Sequence, residues 1–144
     1  MPEVKLIKSY LEIEDCRRRE VYEEHGGYEA VRRMLEEKWD VDKVTSTLKA
    51  ANLRGLGGAG FPTGMKWGFV PKDHEGPKYL VVNADESEPG TFKDRHIMTY
   101  APHLLIEGSL IAALAIGSED IYIYIRGEYY EQCRIMEQAV EEAA

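Results

Sequence analysis

One stretch, Leu53 to Phe69, constrains this chain of 144 residues more than any other. It reads LRGLGGAGFPTGMKWGF, in which Gly55, Gly57, Gly58, Gly60, Gly64 and Pro62 crowd the span between two segments with helical patterning. Glycine has no Cβ, so such a loop lets backbone approach a ligand and adopt φ > 0. Running on into Pro62, Thr63 and Lys66, it offers unpaired N–H groups, a helix N-terminus and a cation together, a combination suited to phosphate. Gly55, Gly57 and Gly60 also satisfy G-x-G-x-x-G, but that fingerprint requires a strand before it. Here Val41, Val44 and Leu48 recur at helical spacing behind Asp40, a good N-cap. A P-loop would need Gly-Lys-Ser/Thr, whereas Lys66 lies between Met65 and Trp67. A flexible linker would be Ser-rich, and Phe61, Trp67 and Phe69 argue against one.

The rest of the pattern predicts an α/β fold, a parallel βαβ core with flanking helices and the glycine-rich loop between helices. Val4, Leu6 and Ile7 suit an edge strand or arm. The charged run EDCRRREVYEEH reads as a solvated helix face. Tyr28, Val31, Leu35 and Trp39 mark an amphipathic helix ending near Lys38. Tyr79 to Val82 is a continuous apolar run, the mark of a strand buried on both faces, and Ile121 to Ile125 is a second strand. Between them Pro102 to Ile116 is a helix apolar around most of its circumference, with His103 and Glu107 left to face water or a neighbour. Strand, helix and strand make a right-handed βαβ unit. Tyr129, Cys133, Met136, Val140 and Ala143 share one face of a final covering helix. Residues 1–40 are expected to form an arm with helices, and 41–144 the ligand-binding α/β domain.

In open α/β sheets ligands gather at the carboxyl ends of the strands. The first strand delivers Asn83 through Gly90 there, NADESEPG, and the second delivers Arg126, Gly127 and Glu128. Asp85, Glu86 and Glu88 could ligate a divalent metal or work as acid and base, but they lack calcium-loop spacing and no nucleophile accompanies them. An exposed acidic turn is the plain alternative. No metal site is expected, since His25, His74, His96 and His103 share no ligand spacing and Cys16 and Cys133 stand far apart. A net charge of −8 disfavours nucleic acid and anionic membrane as general partners. No apolar run reaches the ~18 residues of a membrane span, and the N-terminus lacks signal or transit character, pointing to a bacterial-type cytoplasmic protein.

GLGGAGFPTGMKW followed by KYLVVNADESEPGTFKDR resembles the flavin-binding signature of the flavoprotein subunit of NADH:quinone oxidoreductase, the NADH-oxidising subunit of respiratory complex I. Diaphorase subunits of soluble hydrogenases and formate dehydrogenases share the signature. The resemblance implies FMN as cofactor and NADH as substrate, with hydride transfer feeding an iron-sulfur chain. It places Gly55, Gly57, Gly58, Gly60, Lys66, Asn83, Asp85 and Glu86 around FMN. Phe61 and Phe69 would stack on the NADH adenine, although a core role for either is equally open from the residues alone. Lys66 and Glu88 also fall on the substrate side, Glu88 as a positioning and tuning residue, with no catalytic acid or base. Implied partners are other peripheral-arm subunits, especially the small 2Fe-2S subunit, at the cytoplasmic face of the inner membrane without insertion into it. The family subunit is much longer and carries a 4Fe-4S cluster on four cysteines. This chain is therefore expected to be an N-terminal portion, its two cysteines ligating no cluster. A non-catalytic assembly domain that kept the motif is the remaining alternative.

Overall fold

Period-two alternation governs both strands of the computed structural model, which describes residues 6–144. Strands β1 (Tyr79–Ala84) and β2 (Asp120–Ile125) pair in parallel, Tyr79 opposite Asp120 and Ala84 opposite Ile125. Expected burial of the first strand on both faces does not occur. Tyr79, Val81 and Asn83 are exposed, while Leu80 and Val82 are half-buried and Ala84 is buried. Helices cover one side of this two-stranded sheet, so each strand keeps one open face, and Tyr122 and Tyr124 share it.

Between the strands run α6 (Lys93–Tyr100) and α7 (Pro102–Ile116). Proline suits the first turn of α7, where its missing N–H has no helical partner, and Gly117 ends that helix at φ 70°. No single helix among the described residues is long and apolar enough to cross a membrane, and α6 and α7 meet at a bend of 101°. The remaining helices are α1 (Leu6–Leu11), α2 (Arg19–Glu24), α3 (Glu29–Glu36), α4 (Val41–Ala50), α5 (Thr63–Gly68) and α8 (Tyr130–Ala143). Leu6 and Ile7 thus begin a helix, not an edge strand, and Val4 lies outside the described residues.

Two apolar clusters flank α7. One gathers Cys16, Tyr22, Tyr28, Ala84, Met98, Ile106, Met136 and Ala139, the other Met34, Val44 and Ala115 with Trp39 and Trp67 against them. The buried faces of α3 and α8 are rotated from those expected. Val31 and Met34 are buried while Leu35 is 57% exposed. Gln132, Met136 and Ala139 are buried while Val140 is 47% exposed. Each helix turns its smaller or more flexible side chains inward, where the neighbouring helix approaches.

His103 and Glu107 face protein, not water. Glu107 accepts from the Tyr22 hydroxyl at 2.5 Å and from the Tyr28 N–H at 3.0 Å. Tyr28 sits at φ 61°, a left-handed conformation that costs a bulky residue strain, and its hydroxyl meets His103 Nδ1 at 2.7 Å. His103 Nε2 lies 3.2 Å from Glu142 on α8, and Glu142 also accepts from the Arg19 N–H at 3.1 Å. With a carboxylate on Nε2, that nitrogen carries the proton and Nδ1 accepts from Tyr28. Burial, reinforced by Glu107, pushes the Tyr28 hydroxyl up to about 12 and raises Tyr22 as well.

Candidate functional site

The glycine loop hangs between α4 and α5. Asp40 caps α4, accepting from Lys43 N–H at 2.7 Å. Gly64 serves packing, because a Cβ there would stand 2.6 Å from the Thr45 carbonyl oxygen on α4. The neck of the loop closes by Gly55 N–H to the Phe61 carbonyl at 2.9 Å and Thr63 N–H to the Leu53 carbonyl at 3.0 Å. At the tip Gly58 and Gly60 adopt φ of 109° and 60°, and a Cβ on Gly57, Gly58 or Gly60 would meet nothing within 4 Å. The tip is therefore open on its outer side, and glycine is needed there for conformation.

Beyond β1 the chain forms an acidic corner. Asn83 Oδ1 accepts from the Asp85 N–H at 3.0 Å, and Ser87 Oγ donates to Asp85 Oδ1 at 2.9 Å. Glu86 turns inward and is 4% exposed. Its two carboxylate oxygens accept from the N–H groups of Asp94 at 2.9 Å and Arg95 at 3.1 Å, and one accepts from the Tyr129 hydroxyl at 3.1 Å. Helix α6 has no cap from its own Phe92, so Glu86 supplies the acceptor its first turn needs. Burial pushes the Glu86 carboxyl up, but the bonds from Asp94, Arg95 and Tyr129 outweigh it and hold it below the ordinary glutamate value.

Loop tip and acidic corner face each other across a cavity of about 680 Å³. Of the sequence-predicted residues it brings together Gly57, Gly58, Asn83, Asp85, Glu86 and Glu88. Gly55, Gly60, Lys66, Phe61 and Phe69 do not line it. Lys66 stands in the last turn of the six-residue α5, exposed and without an ion pair among the described residues, and so not at the helix N-terminus. Phe61 and Phe69 are not core residues. They are 44% and 68% exposed and pack on each other with ring centroids 6.2 Å apart. Sequence reasoning missed Leu56, Ser87, Thr91, Lys93 and Asp94 as lining residues. Their signal was at hand, since Thr91, Lys93 and Asp94 follow the acidic turn within the same conspicuous motif.

The volume falls within the ~300–1,000 Å³ of small-molecule and cofactor sites. Its one lining ammonium, Lys93, is held by Asp94 at 2.7 and 2.8 Å, leaving the exposed carboxylates of Asp85 and Glu88 as acceptors for a hydroxyl-rich ligand. On the other wall, glycine backbone without side chains leaves room for an anionic or planar group.

Known proteins resemble this chain over most of its length. The Nuo51 FMN-binding domain matches residues 48–144. In Rhizobium meliloti, the NADH-quinone oxidoreductase subunit named F 2 is 60% identical over 122 residues, 85% of this chain and 29% of that protein. In Rickettsia typhi, the NADH-quinone oxidoreductase subunit named F is 60% identical over 102 residues, 71% of this chain and 24% of that protein. The chain thus spans less than a third of the length of these relatives. Among solved structures, an NAD+-reducing NiFe-hydrogenase in the air-oxidized state superposes with a TM-score of 0.72 and 36% identity, over 96% of this chain and 22% of that one. The H2-reduced state gives 0.66 and 43% identity over 72% and 18%. With the domain match extending over well more than half of its length, the chain belongs to the Nuo51 FMN-binding domain family.

Proposed function

We propose that this chain is the FMN- and NADH-binding part of the NADH-oxidising subunit of NADH:quinone oxidoreductase. The observation that carries the reading is the single cavity shared by Gly57, Gly58 and the corner from Asn83 to Glu88; the two NADH-quinone oxidoreductase relatives support it. Bound FMN would supply a two-electron hydride acceptor that passes electrons onward one at a time. The chain's own residues bind and orient. Gly57 and Gly58 admit the flavin nucleotide, with Gly55 and Gly60 shaping the loop around them. Lys66, free of any carboxylate among the described residues, meets the phosphate. Asn83 uses its oxygen on Asp85 N–H and so keeps its amide hydrogens for a ring carbonyl. Asp85 takes ribityl hydroxyls, while Glu86 anchors the corner. Phe61 and Phe69 offer aromatic faces to the adenine of NADH. Glu88, whose carboxylate accepts no hydrogen bond among the described residues, takes the nicotinamide side and tunes the field there. Hydride transfer needs no protein acid or base, so none is assigned.

Residues 1–40 act in this reading as the arm and 41–144 as the ligand-binding part. The complete subunit would add a 4Fe-4S cluster and contact the small 2Fe-2S subunit, at the cytoplasmic face of the inner membrane. Likeness to NAD+-reducing hydrogenases favours a second reading, a diaphorase module of a soluble enzyme, and neighbouring genes separate the two. Titrating the purified chain into FMN and following flavin fluorescence tests the core claim. Saturable quenching that NADH then modifies is expected; unquenched fluorescence at every protein concentration rejects it.

A further inference from the structure

The β2–α8 loop reaches the acidic corner with two side chains to which the reading above gives no role. Arg126 donates from Nη1 to the Glu86 carbonyl at 2.6 Å, and the Tyr129 hydroxyl donates to the Glu86 carboxylate at 3.1 Å. The two are themselves braced. Arg126 forms a two-pronged pair with Glu128 at 3.1 and 2.9 Å, and the guanidinium groups of Arg126 and Arg95 lie 5.3 and 6.0 Å from the centroid of the Tyr129 ring. Glu86 directly follows Asp85 and stands two residues before Glu88, so whatever fixes it restrains the backbone that carries both exposed carboxylates. An exposed turn carrying like charges would otherwise splay, because Asp85 and Glu88 repel each other and Ser87 Oγ is the only side-chain donor on either among the described residues.

We propose that Tyr129 and Arg126 are positioning residues that act through Glu86, holding Asp85 and Glu88 at the geometry in which the cavity takes its flavin nucleotide. This rests on the FMN reading above. The charged and titratable groups around Glu86 are Lys93, Asp94 and Arg95 from α6, Arg126, Glu128 and Tyr129 from the β2–α8 loop, and Asp85 and Glu88 on its own segment. Tyr129 also belongs to the wall of a second cavity of about 540 Å³ that it lines with Arg95 and Glu128. Tyr129→Phe keeps that wall and removes only the hydroxyl.

Flavin fluorescence titrations of the wild-type chain and Tyr129→Phe, run from about pH 3 to 8, test the proposal with thermal melts alongside. Tyr129→Phe is expected to weaken FMN about fivefold at neutral pH, since a bond to a charged group is lost, and to shift the acid loss of binding to higher pH, since Glu86 then holds its charge less firmly. FMN's own phosphate titration is common to both proteins, so the difference between them is the readout. Arg126→Gln should weaken FMN without the pH shift, its bond being to a carbonyl. Tyr130→Phe, which removes a hydroxyl that meets only Arg134, at 2.7 Å, among the described residues, should bind as wild type. Unchanged affinity and pH profile in Tyr129→Phe overturn the proposal, as does uniform weakening that merely follows a lower melting temperature. Absence of FMN binding by the wild type instead rejects the FMN reading itself, and the positioning role with it.

Discussion

Two constellations of carboxylates in this protein look alike in composition and differ in what surrounds them. In the helical core, Glu107 is 7% exposed and bonded to Tyr22 and Tyr28, and Glu142 is bonded to Arg19 and His103. At the cavity, Asp85 and Glu88 stand exposed, with Ser87 Oγ the only side-chain donor to either carboxylate among the described residues. No buried side-chain polar atom among the described residues lacks a partner. Of the carboxylates that line the cavity, Asp85 and Glu88 are the exposed ones that keep acceptor capacity for water or a ligand. A satisfied carboxylate holds the fold, and an unsatisfied one is available for binding. Glu86 combines the two conditions, buried and saturated like Glu107 yet flanked by the free ones.

The largest effect should come from the core. Glu107→Ala leaves the Tyr22 hydroxyl and the strained Tyr28 N–H without an acceptor in a buried site, which costs about 3 kcal/mol. The urea midpoint should fall accordingly, while the flavin affinity of the molecules still folded stays near that of wild type. Asp85→Ala should do the reverse. Its stability stays within about 0.5 kcal/mol of wild type, and its FMN affinity drops about tenfold for the loss of a charged acceptor. A variant at Asp85 that destabilises as much as Glu107→Ala would erase the distinction.

A smaller effect separates two cations. Lys93 lines the cavity but is tied to Asp94, and Lys66 is off the lining but free of carboxylates among the described residues. A neutralised ammonium has little attraction left for phosphate. Lys66→Gln is therefore expected to reduce the preference for FMN over riboflavin about fivefold, and Lys93→Gln about twofold or less, as charge-assisted bonds to phosphate imply. The reverse order of effects would make Lys93 the phosphate contact and move the nucleotide toward α6.

Much of this is readable from residues alone, for identifiable reasons. Asp40 announces α4 because capping is local, and Pro102 and Gly117 bracket α7 for the same reason. The motif from Asn83 to Gly90 points to a strand end and a shaped turn because side-chain to backbone bonds such as Asn83 to Asp85 span two residues. What fails depends on partners distant in sequence. Which side of α3 and α8 is buried depends on neighbours rather than on hydropathy, so Leu35 and Val140 read as interior in the sequence and stand exposed in the fold. The run at Tyr79 to Val82 looks equally apolar whether a sheet is covered on one face or two. Glu86 reads like Asp85 and Glu88, and only the fold brings Asp94, Arg95 and Tyr129 to it.

Acid provides the finest test, because both regions contain a glutamate held below its ordinary value. Glu142 is raised by burial, but Gln138, the Arg19 N–H and His103 outweigh that, much as Asp94, Arg95 and Tyr129 do for Glu86. A carboxyl depressed in the folded state contributes stability above the unfolded value of about 4.5 and loses it as pH falls through the lower folded value. Stability of the wild type should accordingly decline with falling pH below about 4.5, and Glu86→Gln or Glu142→Gln should each flatten that decline. Either slope can change by at most about 1.4 kcal/mol per pH unit, the limit for one proton. Only Glu86→Gln should also alter the acid limb of FMN binding, since Glu86 alone joins the stability of α6 to the placement of Asp85 and Glu88. Should Glu142→Gln move that limb equally, the core and the corner titrate as one unit, and the separation between carboxylates that hold the fold and carboxylates that bind would give way to a single coupled network.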